Sequence, residues 1–482
     1  MNYKKPMLEK TNNPIFSHTN RTGSCVLSLL CMSILLSTLG LLCSSVNAQE
    51  VDPRKVISAS TPNPVGSGAR AVGMGGAFIA VADDATAASW NPAGLTQLKR
   101  PEISFAYSYF RRRDDFSSRQ HPETSGMQET NNNELNYASF VYPFKLFDRN
   151  MTASLNYQLL YEFNRDIETS IFTKVIRPSD LPRLGEQKVK FRQTGGLKAL
   201  SPAYAIDVTP SFSLGITFNI WTENLFWSNG WKSTETIEAK AYRGGSFNSK
   251  GVLTNITSSK DYDRYHDFSG FNTNIGFLWK INSLVTLGGV VKTPFTADIK
   301  HRRKITKTIK SIGPGGGIQK TKWSLDENVD LKMPLSFGLG LGLRFSDRFS
   351  MSMDVYRTQW DHFKLEDGRG NRYNAVTGKR TYESSSDATN QVRLGAEYLF
   401  IFTRTVIPVR GGLFYDPEPS ENNPDDFWGV SIGTGISIGD LIFDCAYQFR
   451  YGDDVEGDVI DAPSTSADVS QHLLLFSFIY HF

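Results

Sequence analysis

The feature that most constrains this 482-residue chain is a series of segments in which apolar and polar residues alternate, joined by connections that alternate short and long. Strict alternation reads as a strand with two different faces. Fourteen such segments fall at about 102–111, 134–143, 151–162, 193–208, 212–226, 270–280, 284–299, 331–345, 349–360, 390–399, 406–415, 427–438, 441–450 and 469–482. The links at 144–150, 209–211, 281–283, 346–348, 400–405 and 439–440 are short; Thr209-Pro210-Ser211 and Ser346-Asp347-Arg348 are turn sequences. The links at 112–133, 163–192, 227–269, 300–330, 361–389, 416–426 and 451–468 are long and polar. Six short and seven long connections put every long loop on one side and both termini on the other. With an even strand number, this is the pattern of a bacterial outer-membrane β-barrel with periplasmic termini. A soluble β-sandwich has no reason to sort its loops by length.

The faces agree. In 331–345 one row reads Leu331, Met333, Leu335, Phe337, Leu339, Leu341, Leu343, Phe345, and the other Lys332, Pro334, Ser336, Gly338, Gly340, Gly342, Arg344. In 427–438, Trp428, Val430, Ile432, Ile436 and Ile438 oppose Gly429, Ser431, Gly433, Gly435 and Ser437. A cation on the lipid side at the midplane costs about 2–4 kcal/mol, so the apolar rows are expected outside. A Gly/Ser inner wall leaves room for something within. The last strand ends on Phe476, Phe478, Tyr480 and Phe482. A terminal Phe after alternating aromatics resembles the signal read by barrel-assembly machinery.

Residues 1–48 read as a cleaved leader. Lys4, Lys5, Lys10 and Arg21 precede an apolar run from Val26 to Leu42, and Val46-Asn47-Ala48 offers small residues for cleavage. Of the chain's 52 basic and 49 acidic residues, the leader takes four and one, leaving the remainder about neutral, with no basic excess that would suit nucleic acid. It also takes Cys25, Cys31 and Cys43, so Cys445 has no intramolecular partner.

Between leader and first strand, residues 49–100 form a Gly/Ala-rich stretch whose centre reads GSGARAVGMGGAFIAVADDATAASWNPAGLTQL from Gly66 to Leu98. Eight strands enclose only their own side chains, and sixteen to eighteen leave an aqueous channel. Fourteen fall between, so a lumenal plug is expected, and this stretch has the right position and size. Asp83 or Asp84 can cap a short helix over Ala85–Ser89, with Pro92 ending it. Gly73-Met74-Gly75-Gly76 lacks the spacing and the lysine of a phosphate loop, so tight turning is its better reading.

The segment GARAVGMGGAFIAVADDATAASWNPAGL, followed by a barrel of this size, resembles the FadL/OmpP1/TodX family of outer-membrane transporters of hydrophobic compounds. The Asn91-Pro92-Ala93 triplet matches the family's hatch motif; 284–301, 348–363 and the start Phe427-Trp428-Gly429 also resemble family strands. The resemblance implies a 14-stranded barrel with an N-terminal hatch, passive inward transport of fatty acids or aromatic hydrocarbons, and sideways exit at a kink in the third strand. That strand, 151–163, contains neither Gly nor Pro to favour a kink.

The expected gate residues are Asn91, Pro92, Ala93, Gly73, Gly75, Gly76, Asp83 and Asp84. Inward apolar positions Trp221, Phe414, Leu473, Leu475 and Ile479 are candidates for a greasy pocket or for packing against the hatch. Inward Lys292, Arg393 and Arg410 are candidates for holding a carboxylate, or, with Glu397, for a salt-bridged interior that clamps Asp83 and Asp84. Phe226, Trp227, Trp360 and Phe363 stand where strands meet outer loops, as a lipid-catching groove or as interfacial aromatics. The histidines after the leader (121, 266, 301, 362, 472, 481) are scattered without metal-ligand spacing, and no GxSxG elbow appears, so neither a metal or other cofactor nor catalysis is expected. Expected partners are outer-membrane lipid, lipopolysaccharide and a hydrophobic small molecule. The competing functions are a general porin and an accessory barrel for secretion or surface attachment of proteins.

Overall fold

The computed structural model describes residues 55–56, 66–175, 181–223, 225–244, 251–456 and 465–482. The leader and its cleavage sequence lie outside the described residues. Twenty strands are described: β1 (Glu102–Ser118), β2 (Gly126–Leu146), β3 (Arg149–Glu162), β4 (Arg165–Val175), β5 (Arg183–Thr209), β6 (Phe212–Trp221), β7 (Gly230–Arg243), β8 (Val252–Lys280), β9 (Val285–Lys292) and β10 (Phe295–Ser311) in the first half. The second half carries β11 (Ile318–Met333), β12 (Ser336–Arg344), β13 (Phe349–Thr358), β14 (Lys364–Glu366), β15 (Arg372–Asn374), β16 (Thr389–Ile401), β17 (Thr405–Tyr415), β18 (Phe427–Ile438), β19 (Leu441–Glu456) and β20 (Thr465–His481).

Fourteen of these form a closed antiparallel wall in the order β1–β2–β3–β5–β6–β8–β9–β12–β13–β16–β17–β18–β19–β20. Closure is made by β1 against β20, where Glu102 opposes His481, and the amide of Phe482 donates to the Pro101 carbonyl at 3.1 Å. The first and last strands thus meet at the edge that carries the short turns. All fourteen expected strands are present. Closing the sheet removes its free edges, which an open sheet in lipid could not satisfy. No helix among the described residues is long and apolar enough to cross a membrane.

The outward rows are apolar: Phe271, Ile275 and Trp279 on β8, Leu339 on β12, and Trp428, Val430 and Ile432 on β18 are exposed. So large an apolar surface is a lipid-facing belt.

The expected long loops need revision. Much of 163–192, 227–269 and 300–330 is strand, because β4, β7, β10 and β11 continue the wall past its apolar belt as a taller sheet. Their outward faces are polar and their inward faces mix apolar side chains such as Trp231 and Ile299 with buried polar ones such as Asp261 and His301, so the period-2 signal is broken in the sequence. At the junctions the alternation slips. Pro334 and Leu335 separate β11 from β12, and Leu331 and Met333 consequently face inward, buried, instead of joining the lipid row. Proline cannot give the ladder an N–H, which suits it to such a break.

The inward side chains of the taller sheet, with the β13–β16 connection folded in against them, form a lumenal apolar cluster. It includes Phe163, Trp221, Trp231, Phe268, Leu331, Trp360, Phe363 and Tyr373. Val56 packs on this cluster, and its amide donates to Ala375 at 2.8 Å.

Candidate functional site: the hatch and its cavity

Residues 66–98 fill the barrel, and within that run only Asp83 is exposed. Small residues allow this. A helix over Ala69–Gly73 and a second over Ala87–Trp90 bury every residue but Arg70, and a 3₁₀ turn over Pro92–Gln97 follows. The expected helix over Ala85–Ser89 starts two residues later and ends one residue later. Asp84 does not cap it but accepts from the Thr86 amide at 2.9 Å, an Asx turn that launches it. Asn91 ends it and Pro92 opens the 3₁₀ turn.

Asn91 is the principal stitch between hatch and wall. Its Nδ2 donates to the Ile79 carbonyl at 2.9 Å and to the Phe277 carbonyl of β8 at 2.8 Å, while its Oδ1 accepts from the Ala93 amide at 3.2 Å. All three bonds are internal to the barrel, where an unmade one would cost about 1–3 kcal/mol. Pro92 and Ala93 are buried against the same wall. The wall yields space for them: a Cβ on Gly276 would lie 2.0 Å from the Asn91 side chain, and one on Gly215 would lie 2.3 Å from Pro92. Gly412 and Gly395 likewise make way for Gly75 and Met74, and Gly433 for Gly73. Gly75 and Gly76 turn with φ of 67° and 74°, a region that only glycine enters freely.

Polar wall residues that the sequence reading passed over hold the remaining hatch backbone. Asp354 accepts from the amides of Phe78 and Ile79 at 2.6 and 2.8 Å. Glu102 accepts from Ala85 at 2.7 Å and meets His481 at 3.1 Å, joining hatch, first strand and last strand. Ser431 accepts from Gly75 and donates to Gly73, at 2.8 and 3.0 Å. The available signal was an inward polar side chain at mid-strand, since such groups are kept only when something answers them.

The expected arginine clamp takes a different form. Neither Arg410 nor Arg393 reaches Asp83 or Asp84. Asp83 is held by Arg70 of the hatch itself, which also bonds Glu397 of the wall at 2.9 Å. Arg410 bridges Glu397 and Asp444, each at 2.6 Å. Arg393 donates to the Gly75 carbonyl at 3.0 Å, pairs with Asp416 at 3.1 Å and lies over the Phe414 ring, 5.2 Å from its centroid. Lys292 is buried on the inner face of β9 between Asn274 and Ser336.

Between hatch and wall lies a cavity of about 130 Å³. Val72 and Trp90 of the hatch, Leu473 and Leu475 of β20, and Arg393 line it, together with Asn136 of β2 and the run Leu159–Glu162 of β3. Three candidate binding residues, Arg393, Leu473 and Leu475, therefore come together here. Trp221, Phe414, Ile479, Arg410 and Lys292 lie elsewhere in the interior. The four expected groove aromatics separate too. Phe226 is exposed and Trp227 packs edge-on to Tyr157 at 4.9 Å, whereas Trp360 and Phe363 are buried in the lumenal cluster because their connection folds inward.

The third strand is irregular despite lacking Gly and Pro. Against β5, Leu159 pairs with Lys198 and Tyr161 with Leu197, leaving Leu160 as an extra residue. A bulge bends its strand. The β2–β3 ladder ends at Tyr137–Gln158, beyond which β2 pairs with β1 and β4 with β5. Above that point side chains span the seam: Thr130 and Gln128 accept from the amides of Asp166 and Glu168 at 3.1 and 3.0 Å. The cavity abuts this break.

The fold and the filled lumen define a hatch-bearing transport barrel of the outer membrane. Residues 63–435 match the model of the outer membrane protein transport protein family (OMPP1/FadL/TodX), and the chain belongs to that family. No curated protein sequence matches it significantly. Among solved structures it is similar to a Pseudomonas aeruginosa FadL homologue, with 14% identity and a TM-score of 0.56 over 88% of this chain and 99% of that one. It is also similar to the Pseudomonas putida toluene transporter TodX, with 13% identity and a TM-score of 0.51 over 89% and 100% of the two chains. At these identities the likeness is one of fold.

Proposed function

We propose that the protein carries small, neutral hydrophobic molecules of monoaromatic size passively across the outer membrane. The observation that carries this reading is the cavity of about 130 Å³ between the hatch and the broken β2–β3 seam. A cavity of about 150 Å³ lined by apolar side chains suffices to bind benzene; here Val72, Trp90, Leu473 and Leu475 supply such a surface, with Arg393, Asp416 and Arg450 at its polar side. A long-chain fatty acid would overfill it and would need a cation for its carboxylate, whereas Arg393 and Arg410 are already engaged with Asp416, Glu397 and Asp444. On this reading a molecule enters from the long-hairpin side, pauses beneath the lumenal aromatics, and leaves sideways between β2 and β3 at Leu160. The chain then divides into a leader (1–48), a hatch (49–100) and a barrel (101–482), with both termini periplasmic. Its role is transport, not catalysis. The packed hatch argues against a general porin.

The test is uptake of labelled toluene and labelled oleate by cells with and without the gene. The reading expects faster toluene entry with the gene and little change for oleate. Equal toluene entry, with loss of surface proteins, would replace it with the accessory-barrel function.

A further inference from the structure

The taller sheet carries a cationic face that nothing in the hatch, cavity or seam uses. On the outward side of β7, β8 and β10, Lys232 stands directly opposite Arg264, and Arg264 directly opposite Arg302. One step further out, Thr306 of β10 lies between Lys260 of β8 and Lys322 of β11, with Lys304 two residues before it. Directly opposed like charges repel. Within this group Arg302 is compensated by Asp326, at 2.7 Å, and no carboxylate pairs with the other five among the described residues. With strands ~4.8 Å apart, Lys260 and Lys322 stand about 10 Å from each other. Such a lattice of cations is completed by a ligand bearing several anionic groups.

The strands themselves indicate where that ligand is anchored. On β8 the lipid-facing row Trp279, Ile275, Phe271 passes into the cationic row without leaving the outward face. An extra residue at Asp267, with φ of 59°, shifts the alternation, so that Arg264 and Lys260 point outward while Tyr265, Asp263 and Asp261 are buried. A molecule with acyl chains against Phe271 and Ile275 would present its head group to these cations.

We propose that this face binds the phosphorylated saccharide head of an outer-leaflet glycolipid, clamping the barrel in its leaflet. The proposal rests on the reading that the long hairpins face outward. It is tested with the full-length protein in nanodiscs containing phosphorylated lipopolysaccharide, measuring glycolipid retained per protein across a salt series. Dephosphorylated glycolipid and soluble heparin serve as comparison ligands. The variant Lys232→Gln/Arg264→Gln/Lys304→Gln should keep the heat-modifiable mobility of a folded barrel. It should bind the phosphorylated form about a hundredfold more weakly, since each cation near an anionic surface contributes on the order of a fivefold factor. Unchanged retention by the variant, equal retention of the dephosphorylated form, or heparin binding as tight as glycolipid binding would each overturn the proposal. None of these readouts involves transport, so they stand apart from failure of the uptake reading.

Discussion

Asn91 and Gly276 share one volume: a methyl group on the glycine would sit 2.0 Å from the asparagine side chain, which bonds the carbonyl of the next wall residue, Phe277. Gly276→Ala must therefore displace the hatch or the strand. Overpacking of this kind costs about 1–3 kcal/mol. The hatch, held by fewer bonds than the ladder, is the part that should yield. The expected outcome in planar bilayers is a barrel that inserts normally but shows ion-conducting openings.

Asn91→Ala should unseat the same contact from the other side. It strips hydrogen bonds from the carbonyls of Ile79 and Phe277, at about 1–3 kcal/mol for buried groups left unsatisfied. Hydrogen exchange in residues 66–98 should rise while wall amides stay protected. Removing 49–100 altogether should give large, steady conductance steps from a barrel that still assembles; failure to assemble would make the segment scaffold instead of gate.

Arg410→Met tests the buried charge network. The change leaves Glu397 with only Arg70 and removes the partner shown for Asp444, and breaking a buried ion pair costs about 3–5 kcal/mol. The urea midpoint of the protein in lipid vesicles should fall accordingly, with Arg410→Lys intermediate.

A pH effect is expected beyond the apolar belt. His301 stacks on Tyr265 at 4.3 Å, with Asp263 at 2.7 Å from Nε2 and Glu327 at 3.2 Å from Nδ1. Burial opposes its charge, but the two carboxylates outweigh burial and raise its pKa above the ordinary value. A raised histidine contributes stability that is full below its unfolded pKa of ~6.5 and is lost as pH rises through the folded value. Proteolysis of the β8–β10–β11 sheet should thus be faster at pH 9 than at pH 6, and His301→Gln should flatten the difference.

The wall was largely legible in the sequence, because lipid demands an apolar outer row and small inner residues imply contents. Gly340, Gly342 and Gly433, read as inner-wall positions, carried that message directly, for they lie against Ile79, Val81 and Gly73 of the hatch. The taller sheet was not legible: its buried inner face mixes Trp231 and Ile299 with Asp261 and His301, so hydrophobicity does not alternate there. Trp360 and Phe363 misled because position after a strand says nothing of which way a connection folds. The Leu160 bulge left no trace either. Neither glycine nor proline is required there, since the extra residue is accommodated by the register of β5.

On the proposed route a hydrophobic molecule leaves the cavity beside the hatch at the third strand, and deletion of Leu160 should close that exit. Removing the extra residue should bring β3 into unbroken register with β5 and extend the β2–β3 ladder across the seam. The measurement is initial toluene uptake at matched barrel levels. Uptake should fall to that of cells lacking the gene, with the barrel's thermal stability unchanged or raised; uptake equal to that of the unaltered protein would rule out exit at the third strand.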